Sequence, residues 1–167
     1  MSSLTGQRAQ TTLAAIQAGG DATTVATAGE NMKRRILLVE DDDLNRDMLS
    51  RRLALENYDV IEAVDGLEAL ALARSESPDL ILMDVNLPRM DGWQATRQLK
   101  DDETTRATPI VMLTAHAMKG DDQRCLDAGC DAYQTKPIDW AQLMSCLETL
   151  LNRKGPVDGI PFAAGCR

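Results

Sequence analysis

Five short apolar runs divide the middle of the chain, and each is followed by a segment with helical spacing of apolar residues. The runs lie at 36–39, 58–63, 80–83, 110–113 and 132–135. Runs that stay apolar without alternation are typical of strands buried on both faces of a parallel sheet. Strands that alternate with helices in this way predict an α/β fold, in which helices cover both faces of a doubly wound sheet.

Composition limits the partners that this chain can have. Its core must be aliphatic, because 44% of the residues are hydrophobic and only 3% are aromatic. A net charge of −8 argues against nucleic acid as the main partner. No apolar run approaches the roughly 20 residues that span a bilayer, and the N-terminus lacks the features of a secretory signal. We therefore expect a cytoplasmic protein without membrane contact, with its cysteines reduced.

Both ends of the chain differ from the regular middle. Residues 1–32 are rich in Ala, Thr, Gly and Gln, and residues 152–167 contain Gly and Pro without periodicity. Such segments cannot bury enough apolar surface to fold alone, so we expect two flexible tails around a domain at 33–151. Because only 16 residues follow the last predicted helix, we expect no DNA-binding or enzymatic output domain in this chain.

Polar residues follow four of the five predicted strands. They are Glu40 and Asp41 after the first strand, Asp84 after the third, Thr114 after the fourth and Lys136 after the fifth. In open parallel sheets, sites lie beyond the carboxyl ends of the strands. Asp84 could there act as a nucleophile toward a phosphoryl group. Neighbouring acids at about 4 Å would oppose this by about 4 kcal/mol, and Mg²⁺, which prefers oxygen ligands, would offset that repulsion.

Four motifs carry a resemblance to a known family. They read ILLVEDD, LILMDVNLPRMDG, PIVMLTAHA and DAYQTKPI. In this order and at these spacings, they resemble the receiver domain of two-component response regulators over about residues 33 to 151. The resemblance implies a flavodoxin-like (βα)5 fold with strand order 2-1-3-4-5. The stretch TAHAMKGD is more similar to receivers of stand-alone regulators and hybrid kinases than to those of transcription factors.

The resemblance implies a role for each acid near the strand ends. Asp84 would be the phosphoacceptor, and Asp41 and Asp84 would bind Mg²⁺ directly. Glu40 would act on the metal through a water molecule. The backbone carbonyl of Asn86 would be the remaining protein ligand.

Other residues would contact the phosphoryl group or respond to it. In the family, the hydroxyl at Thr114 and the amine at Lys136 bind phosphoryl oxygens. Thr114 and Tyr133 would form the conformational switch, although Tyr133 taken alone reads as a half-buried aromatic residue. Asn86 and His116 would tune the lifetime of the phosphorylated state, although His116 taken alone reads as a polar residue on the rim.

The resemblance also implies surfaces for two kinds of partner. The first helix would dock the phosphodonor through Leu44, Asn45, Met48 and Leu49. The surface from about residue 115 to 151, which includes the fourth helix, fifth strand and fifth helix, would contact a downstream protein. The first helix would be capped by Asp42 or Asp43, because acids after a strand often serve as N-caps.

These observations predict a single-domain response regulator. It would accept a phosphoryl group from a phosphohistidine of a sensor kinase or phosphotransfer protein onto Asp84, with Mg²⁺ as cofactor. It would not be an enzyme, apart from weak autophosphatase activity. One alternative is a receiver-like module without phosphate turnover, and another is a Mg²⁺-dependent phosphatase with an Asp nucleophile. That phosphatase class requires a second Asp two residues after the nucleophile, where this chain has Asn86.

Overall fold

A computed structural model describes residues 33–115 and 121–153, which form five strands and five helices. The elements in chain order are β1 (Arg35–Val39), α1 (Asp43–Leu55), β2 (Asp59–Ala63), α2 (Gly66–Glu76), β3 (Leu80–Asp84), α3 (Gly92–Asp101), β4 (Ile110–Thr114), α4 (Asp121–Ala128), β5 (Ala132–Thr135) and α5 (Trp140–Leu151). The five strands occupy the five apolar runs, with small shifts at their ends. His116 and both predicted tails lie outside the described residues, apart from 152 and 153.

All strands are parallel and lie in the order β2-β1-β3-β4-β5. The predicted doubly wound fold and its strand order are therefore confirmed. The register pairs Val39 with both Ala63 and Met83, and it pairs Thr114 with Thr135. The strands thus end nearly level with one another, and the residues that follow them meet at one edge of the sheet.

Two apolar layers cover the sheet. On one face, Leu38 and Leu82 pack in a cluster with residues of α1 and α5, among them Leu53 and Leu147. On the other face, alternate strand residues pack against α2, α3 and α4. Every residue of β3 and β4 is buried, which explains why these runs are apolar without alternation.

Aspartates cap four of the helices at the end that faces the site edge. The capping residues are Asp42, Asp65, Asp91 and Asp139. Each accepts a backbone N–H from the first turn of its helix, which satisfies donors that the helix itself leaves free. For α1 the sequence left Asp42 and Asp43 open; the cap is Asp42, which accepts from the Asn45 amide at 2.8 Å.

A Schellman motif ends α4. Gly129 has φ +79°, its N–H donates to the Leu126 carbonyl, and the Cys130 N–H donates to the Cys125 carbonyl. This motif brings together the side chains at both of its ends, and here both are cysteines with Cα atoms 5.3 Å apart. The sulfur atoms of Cys125 and Cys130, which the sequence predicts to be reduced, lie in direct contact.

None of the helices within residues 33–115 and 121–153 has both the length and the apolar composition needed to cross a membrane.

Candidate functional site

Four polar residues from three strand ends meet at the carboxyl edge of the sheet. One carboxylate oxygen from each of Glu40, Asp41 and Asp84 lies within 4.8 Å of the other two. The Lys136 Nζ donates to Glu40 Oε2 at 2.8 Å and to Asp84 Oδ2 at 2.7 Å. Residues as far apart in the chain as 40 and 136 are therefore in direct contact.

The position of Asp84 follows from the strand that ends on it. β3 lies in the middle of the sheet with all of its residues buried, and Asp84 is only 4% exposed. Both of its carboxylate oxygens accept hydrogen bonds, Oδ1 from the Asn86 amide at 3.1 Å and Oδ2 from Lys136. A buried carboxylate requires such donors, since its desolvation would otherwise be very costly.

Lys136 is held at the start of the β5–α5 connection. Its backbone N–H donates to the Thr114 carbonyl at 2.7 Å, and the Lys136–Pro137 peptide bond is cis. Thr114 is itself buried, one residue beyond the β4 position that pairs with Asp84. The backbone thus places the amine and the hydroxyl on the side of Asp84 toward β5.

Burial and charge oppose each other in this cluster. Burial raises the pKa of Glu40, and the nearby Asp84 charge adds to that increase, while the hydrogen bond from Lys136 acts against it. For Lys136, burial acts to lower the pKa, but hydrogen bonds and charges from Asp84 and Glu40 outweigh it, so the pKa is raised. The cluster therefore holds more acid than its single amine compensates, which favours binding of a further cation.

The donor set fits Mg²⁺. Three carboxylates offer hard oxygen ligands within a small space, and Asp41 is exposed, so a metal held there could keep several waters. Asn86 follows Asp84 by two residues, its amide bonded to the Asp84 carboxylate, and its side chain is exposed. Its backbone carbonyl belongs to the loop that borders the cluster.

The residues predicted for the switch and for lifetime tuning are only partly described. Tyr133 is half-buried and packs against the apolar cluster on the α2–α3–α4 face. His116 lies outside the described residues, so its predicted role stays a prediction. Sequence reasoning did not predict that Lys136 pairs with Glu40, because nothing local to either residue signals a contact across 96 positions.

The predicted docking residues of α1 do not all lie on one surface. Leu44 is 82% exposed, Met48 is 48% exposed and Asn45 is also exposed. Leu49 is 2% exposed and packs in the core with Leu53, so its prediction as a docking residue is wrong. The helical period explains this, because consecutive residues such as 48 and 49 point about 100° apart.

Comparisons with known proteins agree with this geometry. The sequence profile of the family described as "Response regulator receiver domain" matches residues 36–148. The polar-differentiation response regulator DivK of Brucella ovis is 42% identical over 120 residues, which cover 72% of this chain and 98% of that protein. DivK of Brucella anthropi is 41% identical over the same shares of both chains.

Solved structures show the same similarity. The receiver domain of the sensor histidine kinase PA1611 from Pseudomonas aeruginosa, described with a magnesium ion coordinated in its active-site cleft, is 38% identical. It covers 72% of this chain and 99% of its own, with a TM-score of 0.68. The chemotaxis protein CheY4 of Vibrio cholerae is 31% identical, covers 71% of this chain and 98% of its own, and has a TM-score of 0.67. The chain therefore belongs to the family of response regulator receiver domains.

Proposed function

We propose that this protein is a single-domain response regulator that accepts a phosphoryl group on Asp84. The donor is a phosphohistidine of a sensor kinase or of a histidine phosphotransfer protein. The observation that carries this proposal is the contact of one buried carboxylate, Asp84, with a lysine amine beside two further acids. Within the described residues, this cluster combines a nucleophile, a cation and a set of metal ligands.

The transfer exchanges one bond to phosphorus for another. A carboxylate oxygen of Asp84 attacks the phosphorus, the bond from phosphorus to the donor imidazole breaks, and the imidazole leaves with its electron pair. Asp41 and Asp84, and Glu40 through water, would hold Mg²⁺, which would supply positive charge to offset the repulsion between the carboxylate and the phosphoryl group. The backbone carbonyl of Asn86 would be a further ligand of that ion.

Other residues act once the phosphoryl group is bound. Lys136 transfers its contact from the Asp84 carboxylate to a phosphoryl oxygen, and the Thr114 hydroxyl donates to another. Thr114 and Tyr133 then bias the surface from 115 to 151 between two arrangements, which changes its affinity for a downstream protein. Asn86 and His116 set how quickly water removes the phosphoryl group.

The boundaries and partners of the chain belong to the same proposal. The receiver domain spans residues 33–151, with a tail on each side, and it acts in the cytoplasm. Leu44, Asn45 and Met48 are exposed near the site end of α1, where a phosphodonor must approach Asp84. Contact with nucleic acid or membrane is not part of this function.

Incubation with acetyl phosphate and Mg²⁺ tests the proposal. We expect one hydroxylamine-labile phosphoryl group per chain by intact mass, dependent on Mg²⁺ and absent from Asp84→Asn. Mg²⁺ alone should raise the melting temperature of the full chain, because it binds only where folding gathers the carboxylates. Sodium chloride of equal ionic strength should raise it less.

Two other outcomes would assign a different function. Steady turnover of aryl phosphates would indicate a phosphatase. Normal folding with neither a bound phosphoryl group nor a response to Mg²⁺ would indicate a receiver-like module that binds partners without phosphate chemistry.

A further inference from the structure

We propose that Arg89 is a positioning residue for the metal site. Its ion pair with Asp65 fixes the β3–α3 loop, residues 85–91, so that the Asn86 amide keeps its bond to Asp84 and the Asn86 carbonyl stays in the loop beside the cluster. The inference rests on the proposed function, because it concerns the loop that would provide a Mg²⁺ ligand. Neither the sequence motifs nor the family resemblance pointed to this pair.

Asp65 is the fixed end of the contact. It is 1% exposed, and its Oδ1 caps α2 by accepting the amides of Leu67 and Glu68 at 2.8 and 3.0 Å. Its Oδ2 is paired with the guanidinium of Arg89. The Asp65 side chain is 1% exposed and that of Arg89 is 60% exposed, so loss of the guanidinium would leave a buried carboxylate without its cation, while water screens part of the pair.

Arg89 adopts a backbone conformation that its residue type disfavours. Its φ is +63°, in the left-handed region, which is unfavourable for a residue with a Cβ atom. Such residues persist where their surroundings hold them in place, and they concentrate near functional sites. The ion pair with Asp65 supplies that restraint from a different part of the chain.

The residue after Arg89 rests on the residue after Asp65. A Cβ atom at Gly66 would lie 2.6 Å from the carbonyl oxygen of Met90 and 3.0 Å from its Cβ atom. The loop therefore packs directly on the first turn of α2. The ion pair to Asp65 and the packing on Gly66 together fix the loop at two adjacent residues, Arg89 and Met90.

The other end of the loop is bonded to the phosphoacceptor. The Asn86 amide donates to Asp84 Oδ1, the Gly92 amide donates to the Val85 carbonyl at 3.0 Å, and the Met90 amide donates to the Pro88 carbonyl at 2.7 Å. Only a few residues separate these hydrogen bonds, so a displacement of Arg89 would also displace Asn86. Release of Arg89 should therefore loosen a metal ligand without removing any acid of the cluster.

Three substitutions separate the charge from the backbone strain. Arg89→Asn removes the guanidinium but keeps a residue that tolerates positive φ. Arg89→Lys keeps the charge, and Asp65→Asn keeps a cap acceptor while it removes the charge. Arg97→Asn is the matched control, because Arg97 is exposed on α3 and forms no ion pair with any of the residues that the structure describes.

Calorimetric titration of the full chain with Mg²⁺ measures the effect on the site. We expect the dissociation constant of Arg89→Asn to rise by about tenfold, Arg89→Lys to recover most of the affinity, and Arg97→Asn to match the wild type. Asp65→Asn should weaken Mg²⁺ binding as well, and its combination with Arg89→Asn should add little. At saturating Mg²⁺, the phosphorylation rate of Arg89→Asn with acetyl phosphate should return to within about twofold of wild type.

Amide hydrogen exchange without metal gives an independent readout. The Asn86 and Gly92 amides should exchange faster in Arg89→Asn than in wild type or Arg97→Asn, while amides of β1 stay unchanged. Equal Mg²⁺ affinity and equal exchange in Arg89→Asn and Arg97→Asn would overturn the inference. A phosphorylation rate that stays low at saturating Mg²⁺ would overturn it too, because it would assign Arg89 to contact with the phosphodonor.

Failure of the proposed function has a different signature. A wild-type chain that neither binds Mg²⁺ nor gains a phosphoryl group would overturn that function. Faster exchange at Asn86 in Arg89→Asn would then still establish that Arg89 fixes the loop.

Discussion

At the scale of single residues, Lys136 is the cation that compensates the acids of the site. Its amine bonds two buried carboxylates at once, those of Glu40 and Asp84. Its side chain is 25% exposed, so water screens part of the interaction. Loss of this amine would leave both acids desolvated with no cation between them.

Lys136→Gln should therefore destabilise the metal-free protein. We expect a loss of about 2 kcal/mol, below the 3 to 5 kcal/mol typical of a fully buried pair, because the amine is partly hydrated. Urea denaturation in EDTA measures it. Addition of Asp84→Asn should restore part of the loss, since one of the two acids is then neutral. A Lys136→Gln protein as stable as wild type would show that the acids are already well solvated.

Gln134 is a second residue whose environment opposes its chemistry. It lies on β5, is 1% exposed, and its Nε2 has no hydrogen-bond partner in the part of the chain that the structure describes. An unpaired buried amide costs about 1 to 3 kcal/mol. Gln134→Met keeps the length of the side chain and removes the donor.

We expect Gln134→Met to raise the free energy of unfolding by about 1 kcal/mol, measured by urea denaturation. Gln94→Met, at an exposed position of α3, serves as a comparison for the same chemical change. A clear loss of stability in Gln134→Met would mean that the amide is satisfied, for example by a buried water molecule.

At the scale of elements, the junction between β3 and α3 sets how closely the first turn of α3 approaches the site. A Cβ atom at Gly92 would collide with the carbonyl oxygen of Asp84 and lie 3.0 Å from the Val85 Cα atom. These are backbone atoms of the central strand, which cannot move aside as a flexible side chain would. Only glycine lets α3 begin at this position.

Gly92→Ala should cost about 3 kcal/mol and abolish tight Mg²⁺ binding, because relief of the collision must shift either α3 or Asp84. Gly129→Ala is the comparison: its φ of +79° is strained for alanine, but the nearest atom is Lys100 Cγ at 3.3 Å. It should cost about 1 kcal/mol and leave Mg²⁺ affinity unchanged. Thermal denaturation and calorimetry check both. Normal Mg²⁺ affinity in Gly92→Ala would contradict a rigid junction.

Helices and strands could be predicted from the sequence more completely than the contacts between distant side chains. β3 and α5 were predictable because a continuous apolar run and a helical apolar period depend on neighbouring residues alone. The strand order came from the family resemblance, since the apolar pattern does not fix it. The pairs Glu40–Lys136 and Asp65–Arg89 join distant segments, so only the fold reveals them.

At the scale of the whole molecule, the stability curve at low pH should depend on an acid far from the site. Asp102 ends α3 and accepts hydrogen bonds from the Thr104 hydroxyl and amide and from Arg74 of α2. These bonds, led by that of the Thr104 hydroxyl, lower the pKa of Asp102 from 3.8 to about 2. The ionised form is thus favoured by folding.

A carboxyl group whose pKa is lower in the folded state than in the unfolded chain adds stability at any pH above its pKa in the unfolded chain. That stability is lost as the pH falls from about 3.8 toward 2, because both states then become protonated. Asp102→Asn should therefore lower stability at pH 6 and flatten its decline between pH 4 and 2. Its neighbour Asp101 is exposed and bonds no cation within residues 33–115 and 121–153, so Asp101→Asn is the control and should keep the wild-type slope. Urea denaturation midpoints between pH 6 and pH 2 measure the stability of both variants. Parallel plots of midpoint against pH for Asp102→Asn and wild type would show that the contact between Arg74 and Asp102 contributes nothing to acid stability.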